Sequence, residues 1–193
     1  MTLVAVTGPA GGHGITTVAA ALVLAWPGPC VLLECDPSGG DVGAWWDLPA
    51  VPALASAVAA APADVAAVFA HGASVGASTG ALVAPLRSVE AAATVTAATQ
   101  RVLPILAAAP DVEVIVDAGR SAPQLAPAAA QAAVTVVVAR QVPGSTRASG
   151  AILERTGDLV EVCKRRSIPT VVVLIGEDLY PLADVARYLN VVV

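Results

Sequence analysis

The stretch VTGPAGGHGITTVAAALVLAW, residues 6–26, decides the fold of this chain. A short apolar strand runs into a glycine-rich turn, which is followed by two threonines and an apolar helix. That layout is typical of a loop that binds phosphate at the start of a helix. Such a loop normally carries a lysine just before the hydroxyl residue, and here Ile15 stands in that position. The stretch therefore raises the question of whether a phosphate site persists without its charge.

Length, charge and cysteine spacing limit the class of protein. The 193 residues are enough for one buried core, so we expect a single domain over residues 1–193. The net charge of −5 leaves the chain without the positive field that binds nucleic acid. Apolar runs end before about 18 residues and no basic segment opens the chain, so we predict no membrane insertion and no signal peptide. The three cysteines lack the spacing of a zinc site and fit the reduced thiols of a cytoplasmic protein.

Short β-branched runs alternate with helical stretches along the chain. The predicted strands are 3–6, 30–34, 81–85, 112–117, 134–139 and 170–175, with one more at 190–193. The predicted helices are 15–25, 52–69, 89–106, 124–132, 145–164 and 181–189, and 71–80 is predicted as a Gly/Ser loop. Nearly continuous apolar runs of this length suit strands that are buried on both faces of a parallel sheet. The alternation predicts a three-layer, doubly wound, mostly parallel α/β sheet with helices on both faces.

Small and acidic residues follow several of the predicted strands. TGPAGGHGITT follows the first strand, ECDPSGGD closes the second, and DAGR follows VEVIV. In an open α/β sheet, ligands bind beyond the carboxyl ends of the strands. The sequence therefore predicts a binding site at this edge of the sheet.

The motifs AGGHGITT, VLLECDPSGGD and VIVDAG together resemble the ParA/MinD family of P-loop NTPases, in the SIMIBI class. The likeness follows the order and spacing of the motifs over most of the chain. It is closest in type to degenerate actinobacterial MinD-like members and to the CpaE/TadZ-like proteins that position Tad pilus or secretion machinery. The resemblance implies a P-loop NTPase fold, Mg-ATP or ADP as the ligand, and a homodimer with the nucleotide edge at its interface.

Carried over residue by residue, the family's loop K-G-G-x-G-K-[ST]-T falls on residues 10–17. Ala10 stands where a lysine reaches across the dimer, and Ile15 stands where a lysine holds phosphate, so both lysines are absent. The resemblance assigns Mg²⁺ to Thr16 and Asp117, and water activation to Asp36 with Asp41 as a second candidate. Nucleotide binding falls on Gly11, Gly12, His13, Gly14, Ile15, Thr16 and Thr17. Where the family tends to place an adenine-contacting asparagine, this chain has Gly176, Glu177 and Asp178, which leaves the base specificity open.

Backbone chemistry gives the loop a function even without lysine. Its glycines allow consecutive N–H groups to point inward as an anion nest, and the helix that follows adds its positive end. A charge-assisted hydrogen bond contributes about 1.5–3 kcal/mol, so we expect the affinity for nucleotide to fall roughly tenfold to 150-fold. Turnover depends on positioned cations and should fall further. Arg120, Arg140 and Arg147 are candidates to replace the missing charge.

Aromatic and histidine residues have both functional and structural interpretations. Trp45 and Trp46 could stack on a nucleotide base or contact a partner protein, or they could pack half-buried against the core. We expect half-buried packing. We expect the side chain of His13 to face solvent and His71 to cap a helix end.

Three hypotheses of function remain. The first is a dimeric localisation or assembly adaptor of the pilus, secretion or division type, with weak or absent ATP binding and little hydrolysis. The second is an active Mg-ATP-dependent dimerisation switch with ATPase activity. The third is a Rossmann-type dinucleotide-binding protein in which Glu34 or Asp36 holds a ribose, although G-x-G-x-x-G is not met. Loss of both lysines favours the adaptor, which we expect to be cytoplasmic and recruited to a membrane-associated assembly through a partner.

Overall fold

The computed structural model describes residues 3–49, 53–121, 124–176 and 179–193. Its strands are β1 (Leu3–Gly8), β2 (Cys30–Glu34), β3 (Ala73–Ser74), β4 (Thr79–Leu82), β5 (Glu113–Arg120), β6 (Val134–Arg140) and β7 (Thr170–Ile175). Its helices are α1 (Ile15–Ala25), α2 (Val42–Trp45), α3 (Ala53–Ala60), α4 (Val65–Phe69), α5 (Ser88–Arg101), α6 (Leu103–Ala107), α7 (Thr146–Arg165) and α8 (Leu182–Leu189). One 3₁₀ turn covers Ala129–Gln131.

The strands form one seven-stranded sheet in the order β3-β4-β2-β5-β1-β6-β7. Every pairing is parallel except that of β3 with β4. Strands β1 and β2 are buried along their whole length, as their continuous apolar runs require. The predicted mostly parallel α/β sheet is therefore confirmed.

The strand order decides which side chains meet at the carboxyl edge. Strand β5 lies between β1 and β2, so Asp117 is in register with Val6 on one side and with Glu34 on the other. In a Rossmann dinucleotide-binding sheet the first two strands are instead adjacent, in the order 3-2-1-4-5-6. The Rossmann hypothesis thus does not fit this topology.

Proline residues divide two helices that the sequence pattern predicts as continuous. The predicted helix 52–69 consists of α3 and α4, and the break contains Pro62 and Ala61, which has a positive φ of 48°. The predicted helix 89–106 consists of α5 and α6, with Pro104 in the first turn of α6. Proline is accepted in a first turn because the N–H it lacks has no partner there.

Three weaker segments also differ from their predictions. The predicted helix 124–132 is reduced to the 3₁₀ turn, because Pro127 cannot donate within a longer helix. The predicted loop 71–80 contains β3, which turns back against β4 as an antiparallel hairpin. The predicted strand 190–193 makes only a single bridge, from Val192 to Val171.

The structure also gives the state of the three cysteines and the length of the helices. Cys30, Cys35 and Cys163 are buried free thiols. No helix in the described part of the chain is both long and apolar enough to cross a membrane.

Candidate phosphate-binding site

The loop between β1 and α1 forms the floor of the candidate site. Gly12 and Gly14 have φ values of +74° and +86°, a left-handed conformation that other residues rarely adopt. Gly14 is the N-cap of α1, and no side-chain hydrogen bond caps the helix. The first N–H groups of α1 therefore remain available to an anion, which the positive end of the helix also favours.

A cavity of about 490 Å³ opens over this loop. Its size is typical of small-molecule sites. It gathers most of the residues that the sequence assigns to the site, together with two arginines and a tryptophan. Its lining is Gly11, Gly12, Gly14, Ile15, Thr16, Thr17, Asp36, Ser38, Asp41, Trp45, Arg120 and Arg140.

Asp117 does not line the cavity; it is fully buried in the second half of β5, next to Thr16, which does line it. Its Oδ1 accepts a hydrogen bond from the Gly119 N–H at 3.1 Å, but its Oδ2 is buried and accepts no well-formed hydrogen bond from any described residue. Burial raises the pKa of Asp117 to about 6, although the neighbouring Thr16 side chain and the Gly119 N–H lower it. The charges of Asp36 and Asp41 raise it further.

This pair of Thr16 and Asp117 fits Mg²⁺. A buried carboxylate oxygen without a partner, beside a hydroxyl, gains a ligand if a cation binds directly or through water. Mg²⁺ in proteins usually takes one or two carboxylates, several waters and the phosphates of a substrate. Over the described ranges, no group of three or more His, Cys, Asp or Glu side chains could hold a metal ion. Phosphate oxygens of a bound ligand and waters would complete the coordination of Mg²⁺ at this pair.

Asp36 and Asp41 lie on the segment that joins β2 to α2, and both line the cavity. The Asp36 carboxylate accepts a hydrogen bond from the Ser38 N–H at 2.7 Å. It lies against Gly119, where a Cβ would meet it, and the φ of +60° at Gly119 also favours glycine. Asp41 is exposed at the N-cap of α2 and makes no capping hydrogen bond there.

Glu34 holds this segment in place, a role that the sequence reasoning missed. Its buried carboxylate accepts hydrogen bonds from the N–H groups of Asp41 at 2.8 Å, Val42 at 3.0 Å and Ala84 at 2.9 Å. Burial raises its pKa to about 7, against the effect of those N–H groups, and the nearby Asp117 also raises it. Glu34 therefore cannot serve as a ribose ligand. The signal in the sequence was an acidic residue that ends a fully buried apolar strand.

The position of the missing lysine is filled by an apolar anchor. Ile15 is buried in the main hydrophobic core, and its Cδ1 and Cγ1 pack against Gly8. Arg140, at the end of β6, approaches the loop instead, with its Nη2 at 4.0 Å from the point where a Gly14 Cβ would lie. Arg120 also lines the cavity, whereas Arg147 is exposed on α7 outside it. The ion pairs found among the described residues involve neither Arg120 nor Arg140.

The burial of His13 and of one of the two tryptophans differs from what the sequence predicts. His13 is half-buried rather than solvent-facing, does not line the cavity, and has a buried Nδ1 without a described hydrogen-bond partner. Burial lowers its pKa, and the charges of Arg140 and Arg155 lower it further. Trp46 packs against the core as expected, but Trp45 is 51% exposed and lines the cavity. Glu177 and Asp178 lie outside the described residues.

Comparison with known proteins identifies the fold. No protein-family model matches the sequence, and no curated protein is significantly similar to it. The structure of a ParA family ATPase from Chlorobium tepidum TLS matches with a TM-score of 0.77 at 15% identity, over 100% of this chain and 82% of that chain. The cell division ATPase MinD from Pyrococcus furiosus matches with a TM-score of 0.72 at 15% identity, over 98% and 80%. The septum site-determining protein MinD complexed with Mg-ADP from Pyrococcus horikoshii OT3 matches with a TM-score of 0.73 at 13% identity, over 98% and 78%. The fold is therefore that of the ParA/MinD P-loop NTPases.

Proposed function

We propose that this chain, a protein with the ParA/MinD fold, is a dimeric adaptor that binds a magnesium nucleotide weakly and hydrolyses it little or not at all. Its role is the localisation or assembly of a protein complex of the pilus, secretion or division type, from the cytoplasm. One observation carries the proposal: the site keeps an open backbone cradle near a buried Asp117 carboxylate with one oxygen, Oδ2, left unsatisfied by the described residues, but a buried isoleucine replaces the lysine.

The retained residues have distinct functions in this proposal. The N–H groups around Gly11, Gly12 and Gly14 would bind the phosphates, and Thr16 and Asp117 would hold Mg²⁺. The metal would supply positive charge to the phosphate oxygens. The same type of ligand, Mg-ADP, is present in the MinD structure from Pyrococcus horikoshii, which supports the choice of ligand.

Weak binding and low turnover follow from Ile15. An apolar side chain that faces the core offers no charge to the phosphates, which removes a charge-assisted bond of about 1.5–3 kcal/mol. Arg140 restores part of this charge, because a guanidinium can bind phosphate through two parallel N–H donors. Asp36, with Asp41 as the second candidate, would orient the attacking water, but phosphoryl transfer relies mainly on positioned cations.

The rim of the cavity supports a protein contact there. Trp45 and Leu86 are large apolar side chains with exposures of 51% and 70%. Trp45 lines the cavity, and the Leu86 carbonyl lies against Gly39 in the segment that carries Asp36 and Asp41. Exposed apolar side chains in such a position favour an interface. We assign this rim to the homodimer, with the nucleotide edge at its interface.

A second candidate is the active Mg-ATP-dependent switch, which is favoured by the approach of Arg140 to Gly14. The two functions differ in turnover and in the effect of hydrolysis on assembly. An arginine that fully replaced the lysine would restore catalysis, and the dimer would then dissociate as ATP was consumed.

Light scattering and phosphate release, measured together on the purified chain, test the proposal. The adaptor should form a dimer that persists with Mg-ATP, and its phosphate release should equal that of Asp36→Ala. Phosphate release that is fast and lost in Asp36→Ala would establish the switch instead. A monomer in all nucleotide states would refute the dimeric adaptor.

A further inference from the structure

We propose that the groove between α7 and α8 docks a basic amphipathic helix of a partner protein. The groove consists of two adjoining cavities of about 350 and 510 Å³ that share Glu154 and Tyr188. The inference deepens the proposed adaptor function, on which it rests, because it gives the chemistry of the partner. The groove has no lining residue in common with the nucleotide cavity, so the two can be tested separately.

The groove has an apolar floor and aromatic walls. Leu153 of α7 and Val185 of α8 form the floor, and both are buried in the smaller hydrophobic core. Tyr180 and Tyr188, the only tyrosines of the chain, stand beside them. The Tyr180 hydroxyl donates a hydrogen bond to the Thr146 carbonyl at 3.0 Å, which fixes its ring, whereas Tyr188 is 65% exposed. A surface of this kind can bury one apolar side chain and still offer an aromatic face to a cation.

Carboxylates give the groove its charge. Glu154 and Asp158 are exposed, lie four residues apart on α7, and form no ion pair within the described ranges. Two further carboxylates, Glu161 and Asp184, are already paired with Lys164 at 2.9 Å and with Arg187 at 3.0 Å. The remaining negative charge is therefore concentrated at the centre of the groove, next to the tyrosines. None of the described arginines lines the groove.

The negative charge and the length of the groove indicate which kind of partner segment fits it. Residues four apart on a helix are about 6 Å apart along its axis, so arginines at i and i+4 of a facing helix can reach Glu154 and Asp158 together. A guanidinium can bind a carboxylate through two N–H donors and stack on a tyrosine. The groove runs along α7 from Gly150 to Glu161, which is about three helical turns. The occupant is thus a helix of about three turns with basic residues flanking an apolar stripe, docked in helix-in-groove mode.

A displayed library of 18-residue amphipathic helical sequences, panned on the full chain without nucleotide, tests this inference. Panning on the wild type, with counter-selection on Glu154→Arg/Asp158→Arg, should enrich sequences with Arg or Lys pairs at i and i+4. An enriched peptide should bind the wild type and the control Glu90→Arg/Asp111→Arg, which changes the charge equally at exposed sites outside the groove. Binding to the groove variant should be weaker by about tenfold or more, the scale of a close charge pair.

Several results would overturn the inference. These are no enrichment, enriched sequences without basic pairs, or equal affinity for the wild type and the groove variant. Self-association that light scattering detects in the wild type and that the groove variant loses would identify a second copy of the chain as the occupant, and would also refute it. If the arginine variant does not fold by circular dichroism, Glu154→Gln/Asp158→Asn replaces it under the same criteria. This assay does not measure nucleotide binding. A negative result would therefore refute the docking groove without bearing on the proposed phosphate site.

Discussion

Position 15 is the residue on which the proposed weak binding and low turnover depend. Ile15 begins α1 and packs into the core against Gly8, whereas the backbone around it keeps the conformation of an anion cradle. Backbone N–H groups do not depend on the side chain at this position, but the charge does. A loop with this substitution is therefore expected to bind phosphate with reduced affinity rather than to lose the site.

Arg140 should supply part of the missing charge. We expect Arg140→Gln to weaken binding of Mg-ATP by roughly tenfold or more, the effect of one charge-assisted hydrogen bond. Arg147→Gln is the matched control, because Arg147 lies outside the cavity and its loss should leave the affinity unchanged. Fluorescence titration with a labelled ATP analogue measures both. Equal affinities for the two variants would remove Arg140 from the site.

Thr16 should make nucleotide binding dependent on Mg²⁺. Thr16→Ala removes the hydroxyl beside Asp117, so its affinity for ATP should be nearly the same with Mg²⁺ and with EDTA. Thr17→Ala, the same substitution one residue later, should retain the dependence. A titration of each variant under both conditions distinguishes them. If Thr16→Ala kept the full effect of Mg²⁺, the metal would not be bound at this hydroxyl.

The glycine loop, Thr16, the aspartates after β2 and Asp117 within β5 could be selected from the sequence as candidates because each lies within a short local motif. Arg140 was only one of three candidates, since its approach to Gly14 depends on how β6 packs beside β1. Glu34 was misjudged for a similar reason. The three backbone N–H groups that bind Glu34 include that of Ala84, which is fifty residues away in the chain. A contact between such distant residues leaves no local sequence pattern.

At the scale of elements, the segment from β2 to α2 is fixed by one buried carboxylate. Glu34 accepts the N–H groups that begin α2 and another N–H after β4, so it ties the Asp36–Asp41 segment to the sheet. This arrangement positions the candidate catalytic carboxylates at the cavity, and Glu34 itself is not among the residues that line it.

The burial of Glu34 and Asp117 should make the protein more stable at mildly acidic pH. Their pKa values are raised from 4.5 to about 7 and from 3.8 to about 6, so between these values the folded chain holds more protons than the unfolded chain. The free energy of unfolding should therefore fall as pH rises from about 4 to about 7, by a few kcal/mol at about 1.4 kcal/mol per pKa unit. Urea unfolding at pH 5 and pH 8 measures this difference.

Glu34→Gln should both destabilise the fold and flatten that pH dependence. The amide cannot accept hydrogen bonds with its NH₂ group, so at least one buried N–H loses its partner, at a cost of about 1–3 kcal/mol. Asp111→Asn, at an exposed position in the turn before β5, is the control and should change neither quantity. A Glu34→Gln protein with the pH dependence of the wild type would mean that Glu34 does not titrate between these pH values.

The elements that the sequence predicts well are those with continuous apolar runs. Strands β1, β2, β5 and β6 are buried and close to their expected bounds, because burial on both faces leaves a plain signal. Helical periodicity in an alanine-rich sequence is less informative, since alanine suits either face of a helix. The breaks between α3 and α4 and between α5 and α6 were missed for that reason, although Pro62 and Pro104 marked them.

The strand order of the sheet brings the parts of the candidate site together. With β5 between β1 and β2, the β1–α1 loop, Asp117 and the Asp36–Asp41 segment share one edge of the sheet. The α7–α8 groove is built from different residues. A nucleotide site and a docking surface on separate elements would suit an adaptor, because each can be occupied without displacing the other.

Bound nucleotide should stabilise the whole fold by mass action. Mg-ATP at ten times its dissociation constant should raise the free energy of unfolding by about 1.4 kcal/mol, from RT ln(1 + [L]/Kd). A thermal unfolding series with increasing Mg-ATP, compared with Asp117→Asn, measures the shift. The midpoint of the wild type should rise with ligand concentration, and that of the variant should stay nearly constant. Equal shifts in both proteins would place the ligand elsewhere.

The proposed magnesium-nucleotide site is tested most simply by calorimetric titration of the wild-type chain with ATP, once with Mg²⁺ and once with EDTA. We predict weak, saturable binding with Mg²⁺ that is largely lost with EDTA, since the cradle would bind the phosphates and Thr16 and Asp117 would bind the metal. No heat at millimolar ATP in the presence of Mg²⁺ would contradict this prediction, and the loop would then have only a structural function.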